Sequence, residues 1–548
     1  MGHRKFLPWR HYFRTWKNAF NGEQEFGLAP VPLTGNQVLN KVSVIQFKVG
    51  KPIVCPIKKK KGRGKSVGKD KTEVSLTSAD ESTSPWKKKS IFFELEYWEK
   101  LLLRHNLDVM HIEKNVCGSL IGTLLNIPSK SKDGIKARKD LAALGLRKNL
   151  HPKASPNRTF LPAACYTLTK DEKKELCNCI YNIKVPEGYS SNIRTLVDMK
   201  NLNLVGMKSH NCHVLFQHIL PVAIRGVLPR KVREIITRMC LFFKYLCCKT
   251  IDVSTLDNLQ VEIAIILCYL EGFFPPSFFD IMVHLTVHLV REIKLCGPVY
   301  LRWMYLFERY MKILKSYVRN RSRPEGCIVE CYIVEEAIEF CSEYLYGVTS
   351  VGDQSTLNKS NGGYGGKGGV ICSITQDERH EAHCLVLQNI DEIQPYIDSK
   401  DKNPVECDMT FYGVIQEIWE LDYTTTRVPV FLCDWVKSDK GVKVDDLGFT
   451  SVDLNRIGHK NDRFIMATQA KLVFYVNDPS DKQWSVVVPT QPIDWRDKEN
   501  DVDDLPLLQQ PVTIPEPQLT EYPIDDGVND DDICLRFDGD GVWVDHIL

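Results

Sequence analysis

The sequence predicts an α+β chain of several domains: a mainly helical middle region, then a small all-β domain, with disordered linkers and an acidic tail. Three observations predict it. Apolar residues recur every three to four positions across residues 91–347. The period shortens to two across residues 404–490. Low-complexity stretches rich in Lys, Gly or Asp divide and follow these blocks. At 548 residues, 43% hydrophobic and 26% charged, the chain has an ordinary globular composition and room for more than one core.

The elements follow in chain order. In residues 1–57, Pro8, Pro30, Pro32 and Pro52 break any periodicity. Residues 58–90 form a basic linker around Lys58, Lys59, Lys60, Lys61, Arg63 and Lys65. That linker holds too few apolar side chains to offset the entropy of ordering. Residues 91–347 open with a stripe of Leu101, Leu102, His105, Val109, Ile112 and Val116. Leu120, Leu124 and Ile127 extend it, and Pro128 stops it. Five further helices are predicted at 232–248, 256–271, 277–295, 300–318 and 328–346, with breaks at Pro275-Pro276 and Gly297-Pro298. Residues 348–403 are a Gly-rich linker and connector. Its run from Gly362 to Gly369 lacks the G-x4-G-K-[ST] pattern of a phosphate loop. Residues 404–490 hold strand-like runs at 410–415, 428–432, 464–468, 471–476 and 484–488, with a turn at 477–480, as in a small barrel or sandwich. Residues 491–548 are an acidic tail expected to be disordered.

A net charge of +2 conceals an asymmetry: residues 1–90 carry +13 and residues 491–548 carry −13. A basic head suits nucleic acid or an import receptor. The run Lys58–Lys65 fits a nuclear localisation signal, and fits a solubilising linker equally well, so a nuclear location is the expectation. No run of roughly 18 apolar residues predicts a membrane span. The residues after Met1 are basic and aromatic, unlike a secretory leader. The nineteen cysteines then read as reduced, mostly buried thiols.

Four constellations could carry chemistry. His284 and His288 stand at i and i+4 on a predicted helix, the spacing of a zinc pair or of two packed imidazoles. His210, Cys212, His213 and His218 form a second cluster, metal-binding or structural. Asp108, His111 and Glu113 lie on successive turns as metal carboxylates or as solvated helix charge. Lys312, Lys315, Arg319, Arg321 and Arg323, interleaved with Tyr317, suit a phosphate backbone or complement a helix dipole.

Several stretches together resemble plant CACTA (En/Spm-type) transposases. They are His3-Arg4-Lys5-Phe6-Leu7-Pro8 with residues 17–22, residues 105–116, and Lys208-Ser209-His210-Asn211-Cys212-His213-Val214-Leu215. Then come Phe274-Pro275-Pro276-Ser277-Phe278-Phe279-Asp280, residues 302–310, residues 314–320, and the β block opening at Phe411. The resemblance implies that the helical region is the insertion and end of an RNase H-like core, with residues 1–57 a remnant of its catalytic region. Such cores hold two divalent metals, normally Mg2+, on three carboxylates. It implies Glu308, 20 residues beyond His288, as the third acid, with Asp108 and Glu113 as other candidates. It implies that His284 and His288 are half of a zinc site. The family's first two acids and its C-x2-C lie before the His3–Pro8 stretch, which here begins two residues after Met1. The expectation is therefore a catalytically inactive remnant of a DDE transposase, retaining DNA or protein binding, with Mg2+ and Zn2+ expected only in the complete family protein. Expected partners are DNA and a full-length transposase, with no membrane and no small-molecule substrate. The alternatives are a protein-interaction scaffold with no DNA role and a transposase subunit completed by a second chain.

Overall fold

The computed structural model describes residues 2–17, 20–45, 89–185, 192–345, 375–389, 410–423, 427–460, 462–489, 536, 538–539 and 541–545. Lys58 to Lys65, the Gly-rich run and residues 490–535 lie outside the described residues. The fold is α+β and forms two compact units, one of Gly27–Leu107 and one of Met1–Phe26 with Asp108–Leu548.

The smaller unit holds α1 (Gly35–Ser43) and two 3-10 turns at Ile91–Glu94 and Trp98–Lys100. Thr34 and Gln37 form a capping box that starts α1. Gly35 passes so close to Glu99 that a Cβ would overlap its carbonyl, which fixes glycine there. Leu101 and Leu102 lie in irregular chain, contrary to the predicted stripe. Asp108 explains the later start. Its carboxylate accepts from His111 N at 3.1 Å, capping a helix that begins at Val109.

In the larger unit the elements run in order as follows. First come α2 (Val109–Leu124), α3 (Ile135–Ala143), β1 (Lys153–Ala154), β2 (Arg158–Leu161), α4 (Lys170–Tyr181), β3 (Val197–Asp198) and β4 (Asn203–Leu204). Next are α5 (Ser209–Val214), a π-helical turn (Leu215–Ile219), α6 (Leu220–Ala223), α7 (Arg230–Leu246), α8 (Leu256–Phe273) and α9 (Ile281–Cys296). Then follow α10 (Met304–Ser316), α11 (Pro324–Leu345) and α12 (Gln376–Gln388). α2 packs on α5 and α9, and α8 packs on both α7 and α9. Ile236, Phe243, Ile263, Ile266, Leu267 and Val290 are fully buried there, each worth about 1.5–3 kcal/mol of burial. Asp280 caps α9 through Met282 N and Val283 N, and Gly297 ends it at φ 78°. Val253–Phe273 is long and apolar enough, by length and composition, to cross a membrane. In this fold it is a core helix whose Glu262 pairs with Arg238 at 2.6 Å.

The C-terminal strands exceed the five predicted. β5 (Gly413–Asp422), β6 (Arg427–Val436), β9 (Ile457–Gly458) and β10 (Phe464–Met466) form one antiparallel sheet. β7 (Val442–Val444), β8 (Thr450–Val452), β11 (Val473–Asn477) and β12 (Ser485–Pro489) form another. Strands of two or three residues are too short to show a period, which hid β7, β8 and β9. α12 covers β10, burying Ala382 and Val386 against Val430, Leu432 and Phe464. The turn at 477–480 bonds back to the helices: Asp478 and Asp445 both pair with Arg225, Asp478 at 2.9 Å.

One expectation needs correction. Part of the acidic tail is ordered: β13 (Val542–Asp545) adds to β2, opposite β1. Val542, Trp543 and Val544 supply a short apolar strand within the acidic sequence. Arg536 holds its approach, pairing with Glu172 at 2.7 Å and donating to Thr167 O at 2.9 Å. The basic head is not all solvent-facing. Arg4 and Arg14 are buried and bind backbone carbonyls of residues 5–25.

This N-terminal segment rests on α8, where Tyr12 and Tyr269 hydroxyls lie 2.9 Å apart. His11 Nδ1 accepts from Phe13 N at 3.2 Å, so that nitrogen must be unprotonated. Burial, with Arg14 nearby, pushes the His11 pKa down to about 4 from 6.5. The unfolded chain therefore binds more protons between those values, and the segment is stable above pH 6.5 and loosens as pH falls toward 4. Hydrogen exchange of residues 2–26, corrected for intrinsic rates, should show this loss of protection. His11→Asn, which keeps an acceptor but does not titrate, should remove the pH dependence.

Candidate functional site

α10 and α11 form a helical hairpin whose connecting tip carries the cations. Lys312 and Lys315 project from the last turns of α10, and Arg319, Arg321 and Arg323 occupy the connection. All five are exposed, and none pairs with a carboxylate among the described residues. Pro324 at the first position of α11 fixes where the helix restarts. Phe307, Tyr310 and Met311 on α10 are exposed beside them. Tyr317, read as a stacking ring, is instead tied to the hairpin by its hydroxyl, which donates to Glu335. That bond raises the Tyr317 hydroxyl pKa to about 12. α11 carries six glutamates and no lysine or arginine. The tip is therefore positive and α11 negative.

Glu308 is exposed on α10. Asp108 is committed to its helix cap. Glu113 is buried, 2.7 Å from His213 Nδ1 and 2.8 Å from Gln217 Nε2. The three acids thus occupy separate environments and form no carboxylate cluster among the described residues.

His284 and His288 do share a face of α9, with ring centroids 5.2 Å apart. Their nearest partners come from the far N-terminus, which spacing could not reveal. His284 Nδ1 lies 3.2 Å from His3 Nε2, and His3 Nδ1 lies 2.5 Å from Glu271 Oε1. Phe6 stands edge-on to His288 at 5.8 Å. Burial lowers the pKa of both His284 and His288, with neighbouring imidazoles adding to it, so both rings are neutral at pH 7. Neutral imidazoles backed by a carboxylate are suited to zinc, with Glu271 orienting His3 from behind. The same contacts also satisfy a packed, hydrogen-bonded cluster.

A cleft of about 840 Å3 lies between α4 and the β11–β12 turn, lined by Lys174, Glu175, Lys184, Asp478 and Lys482 among others. Its mixed charges assemble no acid–base or nucleophilic pair.

Comparison with known families gives three matches along the chain. The model of the transposase family tnp2 matches residues 1–45. Two domains of unknown function also match, DUF4218 at residues 246–359, spanning α8 to α11, and DUF4216 at residues 419–487, spanning the β domain. The chain is thus a transposase-derived protein. No curated protein and no solved structure matches it.

Proposed function

We propose that this is a CACTA (En/Spm)-type transposon protein that binds DNA through the α10–α11 tip and carries out no strand transfer. The observation that carries this reading is the cluster of five exposed cations, paired with no carboxylate among the described residues, beside exposed Phe307 and Tyr310. Cations neutralise phosphates and the rings offer faces for unpaired bases. The helical region is read as the insertion and end of an RNase H-like core. Two-metal chemistry needs converging carboxylates, and Asp108, Glu113 and Glu308 are committed to a cap, a buried network and the surface. Zinc, if bound on α9, would be held by His284, His288 and His3. Lys58 to Lys65 are assigned to nuclear import.

The expected result is duplex binding that weakens with salt, with a log–log slope of about −4.5 if all five cations meet phosphates. Each Lys315→Ala, Arg319→Ala or Arg321→Ala change should flatten that slope by about 0.9. Fluorescence anisotropy across a salt series reads both. Absence of binding at low salt would overturn the proposal. The scaffold reading has its own support in the exposed Ile333, Ile338, Phe340 and Tyr344 of α11. It would then take precedence. The complemented-subunit reading requires metal-dependent cleavage that appears only with a full-length partner.

A further inference from the structure

A second cluster lies wholly inside the helical core. Glu113 on α2, His213 on α5 and Cys247, which caps the end of α7, are 1%, 2% and 4% exposed. Their ligand atoms lie within 4.8 Å of one another, the only such grouping of three among the described residues. Gln217 Nε2 sits among them, 2.8 Å from Glu113 Oε1, 3.1 Å from His213 Nδ1 and 3.3 Å from Cys247 Sγ.

Four polar side chains from α2, α5, the π-helical turn and the end of α7 thus meet at one buried point. The two hydrogens of the Gln217 amide go to Glu113 Oε1 and Cys247 Sγ when His213 Nδ1 donates to Glu113. His213 Nδ1 cannot both donate to Glu113 and accept from Gln217. The buried Glu113 carboxylate meets His213 and Gln217, neither of them a fixed cation. Gln217 also falls in the π-helical turn Leu215–Ile219, and such turns concentrate at functional sites.

We propose that Glu113, His213 and Cys247 hold one transition-metal ion of the zinc class, with the Gln217 carbonyl oxygen turned inward as the fourth ligand. Carboxylate, imidazole and thiolate together select zinc over magnesium. Binding releases the Cys247 thiol proton, and His213 binds as the neutral imidazole with its ring proton on Nε2. One carboxylate and one thiolate then neutralise the dication, and no net charge is left buried. To reach zinc bond lengths of about 2.0–2.3 Å, Glu113, His213 and Cys247 must close on the ion and the Gln217 amide must draw back to make room for it. The ion would pin α2, α5 and α7 at one point. Its role is structural, since no open position faces solvent.

The test is metal analysis of the full chain, expressed with zinc and dialysed exhaustively against metal-free buffer. The chain has nineteen cysteines, so adventitious binding is separated by variants. Wild type and Cys296→Ser, which alters an exposed thiol, should hold one zinc per chain more than Cys247→Ser or His213→Gln. Cobalt in place of zinc should give a thiolate charge-transfer band in wild type that Cys247→Ser lacks. Glu113→Gln keeps the side-chain shape and should weaken metal retention at least tenfold. It decides the matter if Cys247→Ser fails to fold. A wild-type chain free of metal and lacking the cobalt band overturns the proposal. So does equal metal in wild type and folded Glu113→Gln.

Discussion

Arg138→Ala should lower the stability of the helical core by about 3–5 kcal/mol, the cost of leaving a buried carboxylate without its partner. Arg138 is 1% exposed on α3. Its Nε and Nη2 reach the two oxygens of Asp133 at 2.6 and 2.7 Å, and Nη1 donates to Leu150 O at 3.1 Å. Tyr166 donates its hydroxyl to the same carboxylate at 2.7 Å and stacks on Phe274 with ring centroids 4.5 Å apart. A planar fork is required here, and lysine, a single point donor, cannot satisfy two carboxylate oxygens and a carbonyl. In Arg138→Ala, Asp133 keeps Tyr166 as its side-chain donor, while Leu150 O loses its partner. The melting temperature should fall, by about 2–4 °C per kcal/mol if the helical core melts as a block of roughly 150–250 residues and by less if the whole unit melts together. The double variant Asp133→Asn/Arg138→Met removes both charges and should lose less than Arg138→Ala alone. A larger loss in the double variant would show that packing of the arginine stem, not charge pairing, dominates.

What could be read from the sequence was what is local. The helices at 230–246 and 281–296 carry apolar residues on one face over four or more turns and that at 256–273 is apolar nearly all round, and these signals survive whatever packs against them. The hairpin-tip cations are also local: surface charge stays at the surface wherever the hairpin docks. The stripe from Leu101 failed because a three-to-four spacing arises by chance over two turns, while Asp108 supplies a specific competing start. The polar clusters were illegible for a different reason. His3 meets Glu271 across 268 residues, and His213 meets Glu113 across 100, so no window contains both partners. Residues 536–545 were assigned by composition to a disordered tail. A strand needs only a few apolar residues and an unpaired edge, and β2 offers that edge. Gly541 passes close over the Phe160 ring, where any side chain would clash.

Arg14→Ala should release the N-terminal segment from α8, and Arg14→Lys should do nearly the same. Nε of Arg14 donates to Leu7 O and Pro8 O, Nη1 to Glu25 O, and Nη2 to Lys5 O and Leu7 O, the last at 2.7 Å. One guanidinium therefore gathers four carbonyls, three from residues 5–8 and one from Glu25. Charge-assisted bonds contribute about 1.5–3 kcal/mol each in net terms, so losing several is a large fraction of any local stability. Arg4 works alongside it, donating to Trp16 O at 2.7 Å and stacking over Phe20 at 4.4 Å. With the fork gone, Phe13 and Phe20 should leave their cluster with Ala264 and Cys268. Hydrogen exchange of residues 2–26 should lose its protection, and limited proteolysis should cut within that segment first. Arg14→Lys separates the two meanings of a basic residue. It preserves charge but not the planar set of donors. If the segment's arginines served as a polyanion surface, Arg14→Lys would be silent in structure and Arg14→Ala would flatten the salt dependence of DNA binding. The buried geometry gives the opposite expectation: both variants lose protection over residues 2–26, and neither changes a slope set by the α10–α11 tip.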